Sequence, residues 1–280
     1  MLWQKWKAWF QRVWTDRPLK VGTQLGSYRI TSVLGLGSYG IAYLAKEEVT
    51  GDLYVLKQVK PSLRRHPKGP AMQNYEAQVL RALSHPRIPQ VKEQFVHNGQ
   101  YFLVMTYMTG STVEDLLFEN QREYPQHKAL QLVMKIADIV LHLHQRGIIH
   151  RDVRIPNVIL REGEPYLIDF GLARFLGDPA TYESDTVDDY PLEKQIKRRV
   201  EPASDLYALG HFLLFLLYST YEAAPDQEER SWEEELSIPV ELRGILRRLL
   251  QLDTPYTNIE EFLAEARLFL ENEKEQSTRQ

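Results

Sequence analysis

The sequence predicts an α+β chain with two lobes, a small β-rich lobe carrying one key helix and then a larger, mainly helical lobe. Three observations predict it. Strand-like runs crowd into the stretch before Met108, and helical periodicity dominates after it. A composition of 43% hydrophobic and 26% charged residues over 280 positions supplies a core and a soluble surface together.

Residues 1–25 stand apart. Four of the five tryptophans lie there (Trp3, Trp6, Trp9, Trp14), mixed with Lys5, Lys7, Arg12 and Arg17. Trp3, Trp6, Phe10 and Val13 recur at helical spacing, and Pro18 ends such a helix near Trp14. From Tyr28 the chain turns strand-like, with Tyr28–Val33 and Ile41–Ala45 flanking a glycine loop. Leu53–Val59 follows the turn signal Thr50-Gly51-Asp52. Residues 71–84 read as one helix with an apolar stripe of Tyr75, Val79, Leu80 and Leu83. Val91–Val96 and Tyr101–Met105 are strands joined by Asn98-Gly99, a strong hairpin signal. After Gly110 the helices are expected at 112–119, 127–146, 204–219, 240–252 and 258–271. The expected organisation is therefore 1–25, a small lobe and hinge at 26–108, a large lobe at 109–270 and a polar, frayed tail at 271–280.

The charge balance and the residues that are missing exclude several classes. Thirty-four basic against 38 acidic residues leave a net charge of −4, unlike a generic nucleic-acid binder, so no nucleic-acid partner is expected. With zero cysteines there are no disulfides, thiol nucleophiles or iron–sulfur clusters, which fits a cytoplasmic location. The apolar run Phe212–Tyr218, preceded by His211, is too short to span a bilayer and reads as a buried helix.

Gly35-Leu36-Gly37-Ser38-Tyr39-Gly40 has a spelling shared with dinucleotide-binding folds. Here the following Ile41-Ala42-Tyr43-Leu44 suits a strand rather than a helix. A glycine hairpin lets backbone N–H groups approach phosphate oxygens. Lys57 ends the next apolar strand, where its charge can hold nucleotide phosphates, and Glu76 on the following helix is the candidate counter-charge. The plain alternatives are a solvated lysine and an ordinary surface glutamate.

His150-Arg151-Asp152-Val153-Arg154-Ile155-Pro156-Asn157 is more specific. Tyr166-Leu167-Ile168-Asp169-Phe170-Gly171 then sets a second aspartate at a strand end. An alcohol attacking a phosphoryl group needs a carboxylate to orient and deprotonate it, which suits Asp152. Mg²⁺ prefers the hard oxygens that Asn157 and Asp169 offer.

Over about residues 28–270, this set resembles the eukaryotic-type (Hanks-type) protein kinases, including the soluble bacterial serine/threonine kinases. The resemblance rests on the glycine loop, Lys57, Glu76, His150-Arg151-Asp152, Asn157, Asp169-Phe170-Gly171 and Asp205-Leu206-Tyr207-Ala208-Leu209-Gly210. It implies the two-lobed kinase fold and an enzyme that moves the ATP γ-phosphate, with Mg²⁺, onto Ser/Thr hydroxyls of proteins, itself included. By the same resemblance Leu34, Gly35, Gly37, Ser38, Gly40, Ala42, Val55, Lys57, Met105, Thr106, Met108 and Ile159 contact ATP. Met105 lies at the back of the adenine pocket, and Met105–Met108 forms the hinge. A nucleotide-binding pseudokinase scaffold and a small-molecule phosphotransferase are the alternatives.

Several positions depart from the family pattern. Ala42 and Val55 exchange a large and a small residue with volume roughly kept. Arg154 stands where the family has lysine, keeping the charge that would steady the transferring group. Tyr190-Pro191-Leu192-Glu193 is the best match to the motif that usually ends the activation segment. The arginine that should pair with Glu193 is missing from 253–258, so a remodelled docking platform is expected. Arg151 would pair with a phosphorylated Thr181, Ser184 or Thr186.

For residues 1–14 there are three readings: peripheral contact with a membrane, docking on the protein itself or a partner, and disorder. Lys60, Arg64, Arg65 and Lys68 read as a solvated basic loop, and Glu222–Glu235 as a solvated acidic one. His142 and His144 fall on different helix faces and do not form a metal pair.

Overall fold

Tyr28–Thr31 buries one face because its apolar residues alternate with polar ones, whereas Phe102–Met105 is apolar and buried throughout. In the computed structural model, which describes residues 15–179, 192–222 and 230–278, the chain divides into two compact units, Met1–Met108 and Thr109–Gln280. The first holds a six-stranded antiparallel sheet in the order β1-β2-β3-β4-β6-β5. Its strands are β1 (Gln24–Leu25), β2 (Tyr28–Leu36), β3 (Gly40–Glu47), β4 (Leu53–Val59), β5 (Val91–His97) and β6 (Gln100–Thr106).

One face buries Tyr28, Ile30, Ile41, Tyr43, Ala45, Leu56, Phe102 and Val104. Phe95 stacks on Phe102 at 5.1 Å and on Tyr28 at 6.1 Å, contacts worth about 0.5–1.5 kcal/mol each beyond their area. Asn98 and Gly99 take the left-handed conformation, φ 50° and 71°, of a two-residue hairpin.

Helix α1 (Lys68–Arg81) packs on β4, β5 and β6. It starts three residues before the expected 71, since Pro70 is tolerated in a first turn. Gly69 is needed there because a Cβ would lie 2.6 Å from the Leu63 carbonyl oxygen. The basic stretch before it is not all loop, as Pro61–Leu63 forms a 3₁₀ turn.

The second unit is built on α3 (Gln126–His144), whose buried stripe includes Leu130, Val133, Ile136, Ala137, Val140 and Leu143. Packed on it are α5 (Pro202–Tyr218) and α8 (Ile259–Thr278), with α7 (Val240–Leu249) against both. Gly210 permits the approach of α5 to α7, since a Cβ there would lie 2.9 Å from Leu249 Cβ. Shorter helices are α2 (Val113–Phe118), α4 (Leu192–Arg198) and α6 (Trp232–Glu235).

Two small sheets complete the unit. One is β7 (Ser111–Thr112), β9 (Val158–Arg161) and β10 (Glu164–Leu167), in the order β10-β9-β7; the other pairs β8 (Ile148–Ile149) with β11 (Arg174–Phe175).

Two expectations need correction. The acidic stretch is not all loop, because Ser231 and Glu234 form a capping box that starts α6. Nor does the chain fray at Glu271, for α8 continues to Thr278. The proposed helix of residues 1–14 and the hydroxyls of Thr181, Ser184 and Thr186 lie outside the described residues. Among the described residues, no helix is long and apolar enough to cross a membrane.

Candidate active site

In the first unit, β2 and β3 carry the glycine loop. The turn closes by Gly37 N–H donating to the Gly40 carbonyl at 2.9 Å. Gly40 is sterically required, since a Cβ would meet the Gln58 carbonyl oxygen at 2.9 Å. Around Gly35, by contrast, a Cβ would meet nothing within 4 Å, so the backbone there is open to a ligand. Ser38 is exposed, and Leu34 sits at an irregularity of the β2–β3 register.

Ala42 pairs across the sheet with Lys57, and Val55 pairs with Met105, which is buried. Thr106 ends β6, its hydroxyl accepting from Gln90 N–H at 2.9 Å, and Met108 is half-buried.

Lys57 Nζ donates to Glu76 Oε1 at 2.7 Å, with side-chain exposures of 22% and 5%. Glu76 lies on the buried face of α1, and Gln73, one turn earlier, donates to the Lys57 carbonyl at 2.7 Å. The helix therefore holds this lysine by main chain and side chain together.

In the second unit the loop after β8 carries the remaining groups. Asn157 Nδ2 donates to Asp152 twice, to its carbonyl at 2.9 Å and to Oδ2 at 2.8 Å. Both amide hydrogens are thus used on Asp152, and Oδ1 of Asn157 remains an acceptor. Arg154 Nε lies 3.4 Å from Asp152 Oδ2. The Asn157 carbonyl accepts from Ile168 N–H at 2.9 Å, which places β10's end, and Asp169 after it, beside the loop. Asp169 is exposed with φ 60°, and its Oδ1 accepts from Gly171 N–H at 3.2 Å. Ile159 is buried in β9.

What positions the loop is Asp205, at the start of α5 and fully buried. Its carboxylate accepts from His150 N–H at 2.9 Å and Arg151 N–H at 2.7 Å, and His144 Nε2 lies 2.9 Å away. Burial pushes its acidity toward the neutral form, but the His144 hydrogen bond, the nearby imidazoles and the backbone donor outweigh that and hold its pKa below the ordinary range. His150, also buried, stacks edge-on against Phe170 at 4.7 Å. Burial lowers its pKa despite the opposing pull of Asp205, Asp152 and Asp169.

Arg151 has φ 66°, and its guanidinium donates to the main-chain carbonyls of Leu172, at 3.0 Å, and Arg198. Glu193 meets Lys197 at 2.5 Å and has His211 at 3.8 Å. Arg247 and Arg248 at the end of α7 are engaged by Glu233, Asp253, Glu261 and Glu265.

Sequence reasoning missed two contributors. His144 had its spacing read, but its partner lies 61 positions away. Arg198 was not singled out, and its Nη2 lies 3.8 Å from Asp152 Oδ1.

The groups present fit Mg²⁺ and a nucleotide. Among the described residues no three His, Cys, Asp or Glu side chains gather as a metal cage. The Asp169 carboxylate and the Asn157 Oδ1 are hard oxygen donors of the kind Mg²⁺ prefers. A carboxylate flanked by an amide and a guanidinium, with a second carboxylate at a neighbouring strand end, is the donor set of phosphoryl transfer.

The chain belongs to the protein kinase family, whose protein kinase domain it matches over residues 28–274. It is 36% identical over 242 residues to the probable serine/threonine-protein kinase YbdM of Bacillus subtilis, covering 86% of this chain and 89% of that one. It is 32% identical to the probable serine/threonine-protein kinase SCO3848 of Streptomyces coelicolor, covering 72% of this chain but only 31% of the relative. The crystal structure of the Mycobacterium tuberculosis PknI kinase domain shares the fold, with TM-score 0.66 at 22% identity over 89% of this chain and 99% of that one. The particular activity is that of a serine/threonine protein kinase, acting on protein substrates.

Proposed function

We propose that this kinase uses ATP and Mg²⁺ through the residues described above. Lys57, held by Glu76, grips the phosphates beneath the glycine loop. Asn157 and Asp169 hold Mg²⁺. Asp152 orients the substrate hydroxyl and takes its proton, and Arg154 steadies the transferring group. Bound Mg²⁺–ATP supplies the γ-phosphoryl group and neutralises its charge. Residues 1–14 are proposed as a peripheral membrane or partner contact of a cytoplasmic enzyme.

The observation that carries the reading is the double donation of Asn157 to Asp152. It fixes the carboxylate while leaving an amide oxygen for the metal. Asp152→Asn is expected to lower radiolabel transfer from ATP to protein by about 10²–10⁴-fold while the melting temperature stays put. Transfer at the wild-type rate in that variant would remove Asp152 from its role.

A further inference from the structure

Asp152 has two guanidinium groups within 4 Å of its carboxylate. Its side chain, 14% exposed, has Arg154 Nε at 3.4 Å from one oxygen and Arg198 Nη2 at 3.8 Å from the other. Two guanidinium groups thus face a single carboxylate. Arg154 reaches outward, with a side chain 61% exposed, whereas Arg198 is 23% exposed. Its Nη1 is buried and has no hydrogen-bond partner among the described residues. A buried, unpaired N–H of a charged group is costly, and an acceptor arriving from outside would relieve it.

Arg198 is also built in. It ends α4, and its carbonyl accepts from the guanidinium of buried Arg151. The Ser204 hydroxyl, buried at the head of α5, lies 2.7 Å from the carbonyl oxygens of both Ile196 and Arg199, which share its one hydrogen. The end of α4 is thereby tied on both sides of residue 198. The negative pole of that helix and the run Lys197-Arg198-Arg199 coincide, which suits cations held at a helix C-terminus. Lys197 is engaged by Glu193, leaving Arg198 as the member of the run turned to Asp152.

We infer that Arg198 is a specificity-determining residue that reads an anionic group beside the phosphoacceptor. The preferred protein substrates then carry Asp, Glu or an already phosphorylated residue next to the accepting Ser/Thr. A charge-assisted bond to Arg198 Nη1 would seat that group while the hydroxyl meets Asp152. This rests on the role proposed for Asp152 and adds the substrate class.

The test uses the full chain and peptides that differ only in the residues flanking one serine: Asp, phosphoserine, Ala or Arg. Peptide affinity is read by fluorescence anisotropy and phosphate transfer by radiolabelled ATP. The Asp and phosphoserine peptides are expected to bind about tenfold more tightly than the Ala peptide, with the gain in KM. The comparison of the two anionic peptides shows which source is preferred. In Arg198→Ala the anionic-to-neutral ratio should fall to about one, and Arg198→Lys should keep part of it. The readout is a ratio within each variant, so a general loss of activity or stability does not produce it.

Equal affinity for all flanks, preference for Arg flanks, or a ratio unchanged in Arg198→Ala would overturn the inference. So would faster transfer to the Ala peptide in Arg198→Ala, which would make the side chain a plug instead of a reader. Failure of the underlying reading looks different: anionic peptides bind with the expected ratio, yet Asp152→Asn transfers phosphate as fast as the wild type.

Discussion

The two units hold their functional charges by opposite means. In the first, the pair Lys57–Glu76 is both the proposed working group and its own support, one residue on β4 and one on α1. In the second, the proposed working group Asp152 is separate from the anchor. Asp205 is buried beneath the loop and holds it through backbone N–H groups. A charge that supports itself can be altered with little effect on the fold, whereas a dedicated anchor is part of the fold. Altering the Lys57–Glu76 pair or Asp152 should therefore change function more than stability, whereas altering Asp205 should change both together.

The sharpest way to break this contrast is Asp205→Ala. It strips His150 and Arg151 N–H of their acceptor and leaves His144 unpaired. A loss of about 3–5 kcal/mol is expected, seen by calorimetry as a drop of roughly 10 °C in melting temperature. A variant as stable as the wild type would show that Asp205 is no anchor.

Glu76→Gln probes the other side. It keeps shape and an acceptor for Lys57 but removes the counter-charge. Phosphate transfer should fall on the order of 10²-fold through misplacement of Lys57. Stability should fall by less than the roughly 3–5 kcal/mol expected for Asp205→Ala, because Gln keeps a hydrogen bond to the partly exposed Lys57. A large thermal shift here would erase the distinction between the units.

The third test concerns pH and lies in the second unit. His211 has its pKa lowered to about 4 by burial and by Lys197, with Glu193 opposing. The unfolded chain takes up that proton near the ordinary 6.5, before the folded one does. The contribution is thus complete above about pH 6.5 and is lost as pH falls toward about 4, amounting to at most about 3 kcal/mol. His211→Gln should flatten the stability profile across that window. It should not abolish the slope, because burial lowers His150 and His142 in the same direction. An unchanged slope would place the titration elsewhere.

Much of this was legible in the residues. Leu53–Val59 forms a strand with the expected ends, and Asn98-Gly99 makes the expected hairpin, because alternation and left-handed turns are written locally. The Lys57–Glu76 pair was readable because a lysine ending an apolar strand needs a counter-charge on the next helix. The start of α1 was less so, since Lys68-Gly69-Pro70 has poor helix propensity and Gly69 is explained only by its close approach to Leu63. The short strand β9 was missed because its partners, β7 and β10, are short as well. His144 with Asp205, and Arg198 with Asp152, depend on tertiary packing between distant stretches. No spacing rule reports that.

The clasp made by Arg151 has a consequence for how such a protein can diversify. Its acceptors are the main-chain oxygens of Leu172 and Arg198, atoms that every amino acid supplies. Drift at 172 or 198 leaves the tie in place, and only position 151 is constrained by it. The side chain at 198 is free to be exchanged for another recognition chemistry without loosening the loop beneath it, so selectivity can evolve there independently of catalytic competence.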